Sequence, residues 1–451
     1  MIDPPGAIAT RRPLVSAEPG RGLPALPRTA WIEIDLDALV DNVRLLQGML
    51  PEGARLDGVV KADAYGHGAV PVARVLVAAG VESLSVATYD EGLELRQADI
   101  SVPVFVVYPI PPELAGDALR LGLSITVGDF TLLERTLAAL SRTLEDGAGA
   151  GRLQIHVEVE TGLGRGGFDP TDVPAAVATI EAMPRARWAG LWSHLQNAGD
   201  ARLSASQAAS FAVASALLEE AGATLPVRHL AASGGLLAAS VPGFDVVRVG
   251  IALYGVVPDG LTASGRNRAA AAGLRPILSL RARPVRVASL APGIGISYGP
   301  SFVTERDSRI ATLPLGYADG YPRSLSNRAQ VLVRGQRVPV VGTVAMDAVM
   351  VDVTNVPGPP VTVDDEFTLI GQQGDEAIGA AEVAQWGNTI SHEIFTAMSA
   401  RVPRVYYAAA KAVELRQVAS EPDRVGKGPA AGAGLRGGAR AARSKHNREI
   451  R

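Results

Sequence analysis

The sequence predicts an α/β protein, a (β/α)8 TIM-type barrel followed by a mainly β C-terminal domain, and three observations predict it. Between residues 56 and 249, short apolar strand patterns alternate with helical patterns, giving eight strands. Chemistry-bearing residues recur just after these strands, at the end where a parallel barrel gathers its functional groups. From about residue 274 the pattern changes to short strands and turns, as in RVPVVGTVAMDAVMVDV (residues 337–353).

Residues 1–28 are rich in Pro, Gly and Arg without periodicity, which predicts a disordered leader. WIEIDLDAL (31–39) then alternates as a strand that runs into a helix ending near Leu50. The first barrel strand, 56–60, leads into KADAYGHG and a helical pattern over 70–79. Further strand patterns lie at 84–87, 104–107, 124–127, 153–159, 188–192, 227–231 and 246–249. Helical patterns between them cover 91–98, 113–121, 130–144, 173–183 and 206–221. A Pro/Gly/Ala-rich connection, 257–273, marks a boundary, so 29–272 is read as the barrel and 273–417 as the β domain. Residues 418–451 read as a disordered, solvated tail.

Composition narrows the functional classes. With 451 residues the chain exceeds one small core, and 47% hydrophobic with 20% charged residues describes a soluble globular protein. A net charge of -3 gives no basic face for nucleic acid. The most apolar stretch, 102–110, is short and contains prolines, so no membrane span is expected. The N-terminus has no apolar core of a signal peptide. Absence of cysteine excludes disulfides, thiolate catalysis and Cys-based zinc sites, and fits a cytoplasmic protein; no metal site is expected.

Lys61 is the focal residue. Burial at a strand end disfavours the ammonium form and frees a neutral, nucleophilic amine for a Schiff base, although an isolated strand-end lysine also snorkels to solvent. VETGLGRGGF (159–168) contains Gly162, Gly164 and Gly167 in dinucleotide-fingerprint spacing, but it follows the fifth strand and runs into Asp169-Pro170 instead of opening a first helix. Ser233-Gly234-Gly235 and Gly250-Ile251 follow the last two strands and offer backbone donors of the kind a phosphate needs, with the Tyr65 hydroxyl as a further donor. Arg165, His194, Ser233 and Arg248 fall where a barrel converges its polar groups.

Taken in order, VVKADAYGHG (59–68), the Thr-Gly-x-Gly-Arg turn at Arg165, DVVRVGIALYG (245–255), GISYGPSF (295–302), LGYADGYPR (315–323) and VAMDAVM (344–350) resemble the motifs of the alanine racemase family across roughly residues 31–407. The resemblance implies pyridoxal 5'-phosphate carried by Lys61, with the opening strand at Trp31 joining the β domain. It implies Arg248 at the pyridine nitrogen with His229 behind it, His194 against the ring face, and the phosphate near Tyr65, Ser233, Gly250, Ile251 and the position of His392. Arg165 would face the cofactor's phenolic oxygen and the substrate carboxylate, and the Met346 backbone would bind that carboxylate beside Asp347. Tyr317 would guard the entrance. Lys61 and Tyr298 would be acid/base groups on opposite faces. Tyr298, Tyr317 and Met346 come from the partner subunit in the family, which implies a homodimer with shared active sites.

Four positions depart from the family's usual residues: Glu158 stands for an often carbamylated lysine, His392 for a tyrosine, and Ala232 and Ala345 for an asparagine and a cysteine. The implied activity is racemisation of alanine, supplying D-alanine for peptidoglycan. Alternatives are a racemase of serine or another small amino acid, and a non-catalytic pyridoxal phosphate-binding protein. A decarboxylase on a related fold would set a carboxylate at the pyridine nitrogen and often use cysteine, whereas Arg248 and the lack of Cys point away from it.

Overall fold

Short strands whose side chains are buried on both faces, each followed by a helix with one apolar stripe, have to close around a common core. The computed structural model describes residues 22–145, 151–242, 244–265 and 267–417, so the tail expected after 417 and the leader before 22 lie outside the described residues. The opening strand, β1 (Ala30–Asp35), runs into the helix Leu36–Gln47, whose first turn is capped by the Asp35 carboxylate accepting from Ala38 N at 2.8 Å.

Eight parallel strands follow among the described residues: β2 (Arg55–Val59), β3 (Ser83–Val86), β4 (Val104–Val106), β5 (Leu123–Val127), β6 (Leu153–Glu158), β7 (Ala186–Trp192), β8 (Val227–His229) and β9 (Val246–Val249). Their order in the sheet is β8-β7-β6-β5-β4-β3-β2-β9. Pairing of β9 with β2 sets Arg248 beside Asp57, and a parallel bridge from Ala232, just past β8, to Arg248 closes the ring. Helices including Ala69–Ala78, Tyr89–Gln97, Val173–Glu181 and Ala201–Glu220 pack outside.

Three local expectations change. The helix expected over 113–121 begins as a 3-10 turn, Pro112–Leu114, before Ala115–Arg120, because Pro111 and Pro112 preset an extended entry and lack N–H donors. Helices Ser233–Ala238 and Asn267–Ala272 occupy segments read as loop and connection. Residues 22–28, assigned to a disordered leader, pack: Leu23 and Leu26 are buried with Trp31 and Val405, and Arg28 donates to the Asp319 carboxylate at 2.7 Å.

The remaining strands are β10 (Leu278–Ala282), β11 (Arg286–Leu290), β12 (Ser308–Leu313), β13 (Gln330–Val333), β14 (Gln336–Pro339), β15 (Val349–Asp352), β16 (Phe367–Gln373), β17 (Glu376–Ile378), β18 (Arg404–Ala408) and β19 (Lys411–Arg416). One sheet runs β14-β13-β16-β10-β1-β18-β19 with β17 on β16, and β11-β12-β15 forms a second. β1 lies antiparallel to β10 and parallel to β18, so the first strand of the chain belongs to this sheet. Hydrophobic packing is continuous from barrel residues such as Ile155 to Ile370 and Phe395. Residues of the sheet therefore reach the barrel mouth.

Candidate active site

A cavity of about 530 Å³ opens at the C-terminal ends of the barrel strands, lined by Lys61, Tyr65, Arg165, His194, Ser233, Arg248, Gly250, Ile251 and His392. The structure thus brings together most of the sequence-predicted residues of the barrel with His392 from the helix Ser391–Thr396, while Glu158 and His229 stand behind the lining. A second cavity of about 480 Å³ lies beside β1, β10 and β16, but its charges are already paired, Arg281 with Glu33 and Arg275 with Asp35.

Lys61 is placed by an unusual turn. Ala62, Asp63, Ala64 and Tyr65 have φ of 51°, 55°, 53° and 53°, a left-handed turn without glycine that costs on the order of 1 kcal/mol per residue. Specific bonds offset that strain. Ala62 N donates to Glu91 at 2.6 Å, and Asp63 accepts from Ala69 N at 2.8 Å and from Arg416 of β19 at 2.5 Å. Arg404 of β18 donates to Gly66 O at 2.8 Å, and the Tyr406 hydroxyl to His67 O at 3.0 Å. Burial first, then the nearby Arg165 charge, push the Lys61 amine below its ordinary value, with Glu91 opposing.

Arg165 sits 5.5 Å above the Tyr108 ring, on a turn whose Gly162 and Gly164 amides donate to Glu160. Its guanidinium reaches Glu158 at 4.0 Å, an ion pair at the limit of contact and too long for a hydrogen bond. Burial raises the Glu158 carboxyl to about 6 despite the opposing charges of Arg165 and Arg248.

Arg248 is held through both terminal nitrogens. Nη1 donates to His229 Nδ1 at 2.6 Å and to His229 O at 3.0 Å; Nη2 donates to Ser193 O at 2.7 Å and contacts His194 Nδ1 at 3.3 Å. The guanidinium lies 5.0 Å over the Trp192 ring. Burial lowers Arg248 to about 10, leaving it charged near neutrality, and holds His194 at about 3, hence neutral.

At the other end of the cavity, the Ser233 hydroxyl accepts from Gly250 N at 3.0 Å, tying the two loops together. A Cβ on Gly250 would meet the Tyr65 hydroxyl at 2.5 Å, so glycine keeps this cradle open. Burial pushes the Tyr65 phenol up to about 12, so it remains a donor. His392 lies 5.8 Å from the Tyr65 ring, and its buried Nδ1 has no hydrogen-bond partner among the described residues. A small phosphorylated aldehyde fits this donor set: an amine, a glycine-lined end with a hydroxyl, and an arginine opposite.

Tyr298, Tyr317, Met346 and Asp347 do not line the cavity. Tyr298 is 76% exposed and Met346 52%. They cluster with one another instead: Thr343 donates to Tyr298 O at 3.0 Å, Tyr317 N to Ala345 O at 3.1 Å, and Arg401 pairs with Asp347 at 2.6 Å. Sequence reasoning missed Tyr108, Trp192 and Glu91. The first two follow or end strands and were accessible to the rule that found Lys61; Glu91 was visible only as a helix-capping residue after Thr88. No group of three His, Cys, Asp or Glu suited to a metal occurs among the described residues.

Residues 34–258 match the family model for the alanine racemase N-terminal domain, and residues 277–406 that for the C-terminal domain. The alanine racemase of Symbiobacterium thermophilum is 42% identical over 385 residues, 84% of this chain and 97% of its relative. The crystal structure of alanine racemase from Bacillus anthracis with bound L-Ala-P superposes with a TM-score of 0.78 at 33% identity, covering 86% of this chain and 98% of that one. Alanine racemase from Bartonella henselae, with covalently bound pyridoxal phosphate, gives 0.72 at 30% identity, covering 84% and 100%. Matched along nearly the full length of these relatives in both sequence and structure, the chain belongs to the alanine racemase family.

Proposed function

We propose that this protein is a pyridoxal phosphate-dependent racemase that interconverts L-alanine and D-alanine by a two-base mechanism. The observation that carries the reading is the half-buried Lys61 amine, pushed below its ordinary pKa, in a cavity flanked by Arg165 and Arg248. Pyridoxal phosphate, when bound, supplies an aldehyde that condenses with amines and a conjugated ring that draws electrons from the substrate's α-carbon. Lys61 would hold it, Tyr65, Ser233, Gly250, Ile251 and His392 would surround its phosphate, and His194 would lie against its ring.

The protein's own residues then determine the reaction. Arg248 donates a hydrogen bond yet keeps its proton, so a pyridine nitrogen beside it stays unprotonated and the electron demand stays modest. Chemistry is thereby confined to one α-proton. Lys61, its amine held below the ordinary value by burial, moves that proton on one face, while Arg165, leaning on Glu158, orients the carboxylate. Tyr298 of a second copy serves the other face, with Tyr317 and the Met346 backbone at the entrance and Asp347 supporting them. A homodimer with shared active sites is therefore part of the proposal, as are a cytoplasmic location and a role in supplying D-alanine for peptidoglycan.

Incubation of purified protein and cofactor with a panel of small L-amino acids, followed by circular dichroism, tests this reading. Alanine should lose its optical activity fastest; retention by every amino acid would refute racemisation. Serine is the alternative to test against alanine, because His392 is shorter than the family's tyrosine. His392→Tyr should lower the serine-to-alanine turnover ratio severalfold, and an unchanged ratio would remove His392 from specificity.

A further inference from the structure

Behind Arg248 the barrel interior contains a second histidine that the reaction above does not use. His156 Nδ1 lies 2.9 Å from His229 Nε2, and His229 Nδ1 lies 2.6 Å from Arg248 Nη1. The direction of this chain is forced. Arginine nitrogens only donate, so His229 Nδ1 must accept. Its proton then sits on Nε2, which donates to His156 Nδ1, and the His156 proton sits on its own Nε2. Burial and the Arg248 charge push both imidazoles down, His156 to about 3, so neither adds a competing proton near neutrality.

Space for this arrangement is built into the strands. A Cβ on Gly190 would collide with the His156 ring, and the β6–β7 register slips between Ile155 and His156, which brings His156 opposite Gly190. Phe105 packs against both imidazoles, with ring centroids 4.4 Å from His156 and 5.3 Å from His229. Trp192 stacks parallel to His229 at 6.1 Å. Aromatic walls leave His229 few other acceptors for its Nε2 proton.

We propose that His156 is a positioning residue of the cofactor site: as the acceptor behind His229 it fixes the His229 tautomer and, through it, the Nη1 donor of Arg248, with Gly190 making room for its ring. Without that acceptor, a buried N–H is stranded, a cost that a flipped His229 ring would relieve by withdrawing its hold on Arg248. The inference rests on the reading of Arg248 as the partner of a pyridine nitrogen.

Two measurements test it. In cofactor-free, 15N-labelled protein at pH 7, long-range proton–nitrogen correlation should find His156 and His229 both neutral and protonated on Nε2. An Nδ1–H tautomer or an imidazolium at either residue would overturn the relay whether or not the protein is a racemase. In the holoenzyme, His156→Leu should shift the absorption band of the bound cofactor and lower alanine kcat by about tenfold, with KM changed less than about twofold. His156→Asn, whose Oδ1 replaces Nδ1 as acceptor, should restore the band and most of the rate. Equal loss in both variants, or loss in neither, would overturn the proposal and reduce His156 to packing. Failure of the wild-type protein to bind pyridoxal phosphate would instead defeat the functional reading, while the tautomers remain readable.

Discussion

Glu158 carries a fixed negative charge where the family often installs one on lysine with carbon dioxide, and burial makes that charge conditional. Its carboxyl is raised to about 6, with Arg165 at 4.0 Å. As pH falls through about 6, Glu158 gains a proton and its attraction for Arg165 fades. The stability linkage runs the other way: a raised carboxyl favours folding below its unfolded value near 4.5, and that contribution is lost as pH rises through about 6. Glu158→Gln should therefore raise the KM for alanine severalfold at pH 8 while leaving stability there equal or higher, on the order of 1–2 kcal/mol. Bicarbonate should have no effect on the wild-type rate. Steady-state kinetics with thermal unfolding checks both, and an unchanged KM would leave Arg165 oriented by another group. Lys61, Arg165 and Arg248 were legible in the sequence because strand ends in a barrel have a known destination. The role of His156 was not, since it depends on a bulge and on a glycine in a neighbouring strand.

The left-handed turn after Lys61 was the least legible segment. Ala62 to Tyr65 contain no glycine, so local propensity gives no reason for positive φ; the reasons are Glu91, 29 residues away, and Arg404, Tyr406 and Arg416, more than 300 residues away. Arg416→Ala should remove the charge-assisted bond to Asp63, lower stability by about 1–3 kcal/mol, and weaken retention of the cofactor by loosening the Lys61 turn. Denaturant unfolding and cofactor titration read the two effects, and a stability loss with unchanged retention would separate the turn from the site. The split helix near Pro112 failed for a simpler reason: apolar periodicity ran through two prolines that fix the entry geometry. Barrel strands, by contrast, were found within a few residues because each carries a short cluster of buried apolar side chains between helical patterns, as in Val104–Val106 and Val246–Val249.

The proposed two-base chemistry draws its second group, Tyr298, from another copy of the chain. Tyr298, 76% exposed, lies on the β-rich surface with Tyr317 and Met346, outside the cavity that holds Lys61. Activity should fall on dilution as copies separate, and Tyr298→Phe should depress racemisation by at least about a hundredfold with cofactor absorbance retained. Equal loss of both signals would assign Tyr298 to folding. Mixing Tyr298→Phe with Lys61→Ala protein should restore part of the activity, because a mixed pair contains one intact site. The order of motifs carries the proposal of a shared site. The chain has four lysines, Lys61, Lys411, Lys427 and Lys445, and Lys61 alone precedes residue 411. That makes one measurement decisive: borohydride reduction of the protein with bound pyridoxal phosphate, followed by peptide mapping. The label should fall on Lys61 and vanish, with the visible absorbance and alanine racemisation, in Lys61→Ala; a label on any other lysine, or activity in Lys61→Ala, would contradict the account.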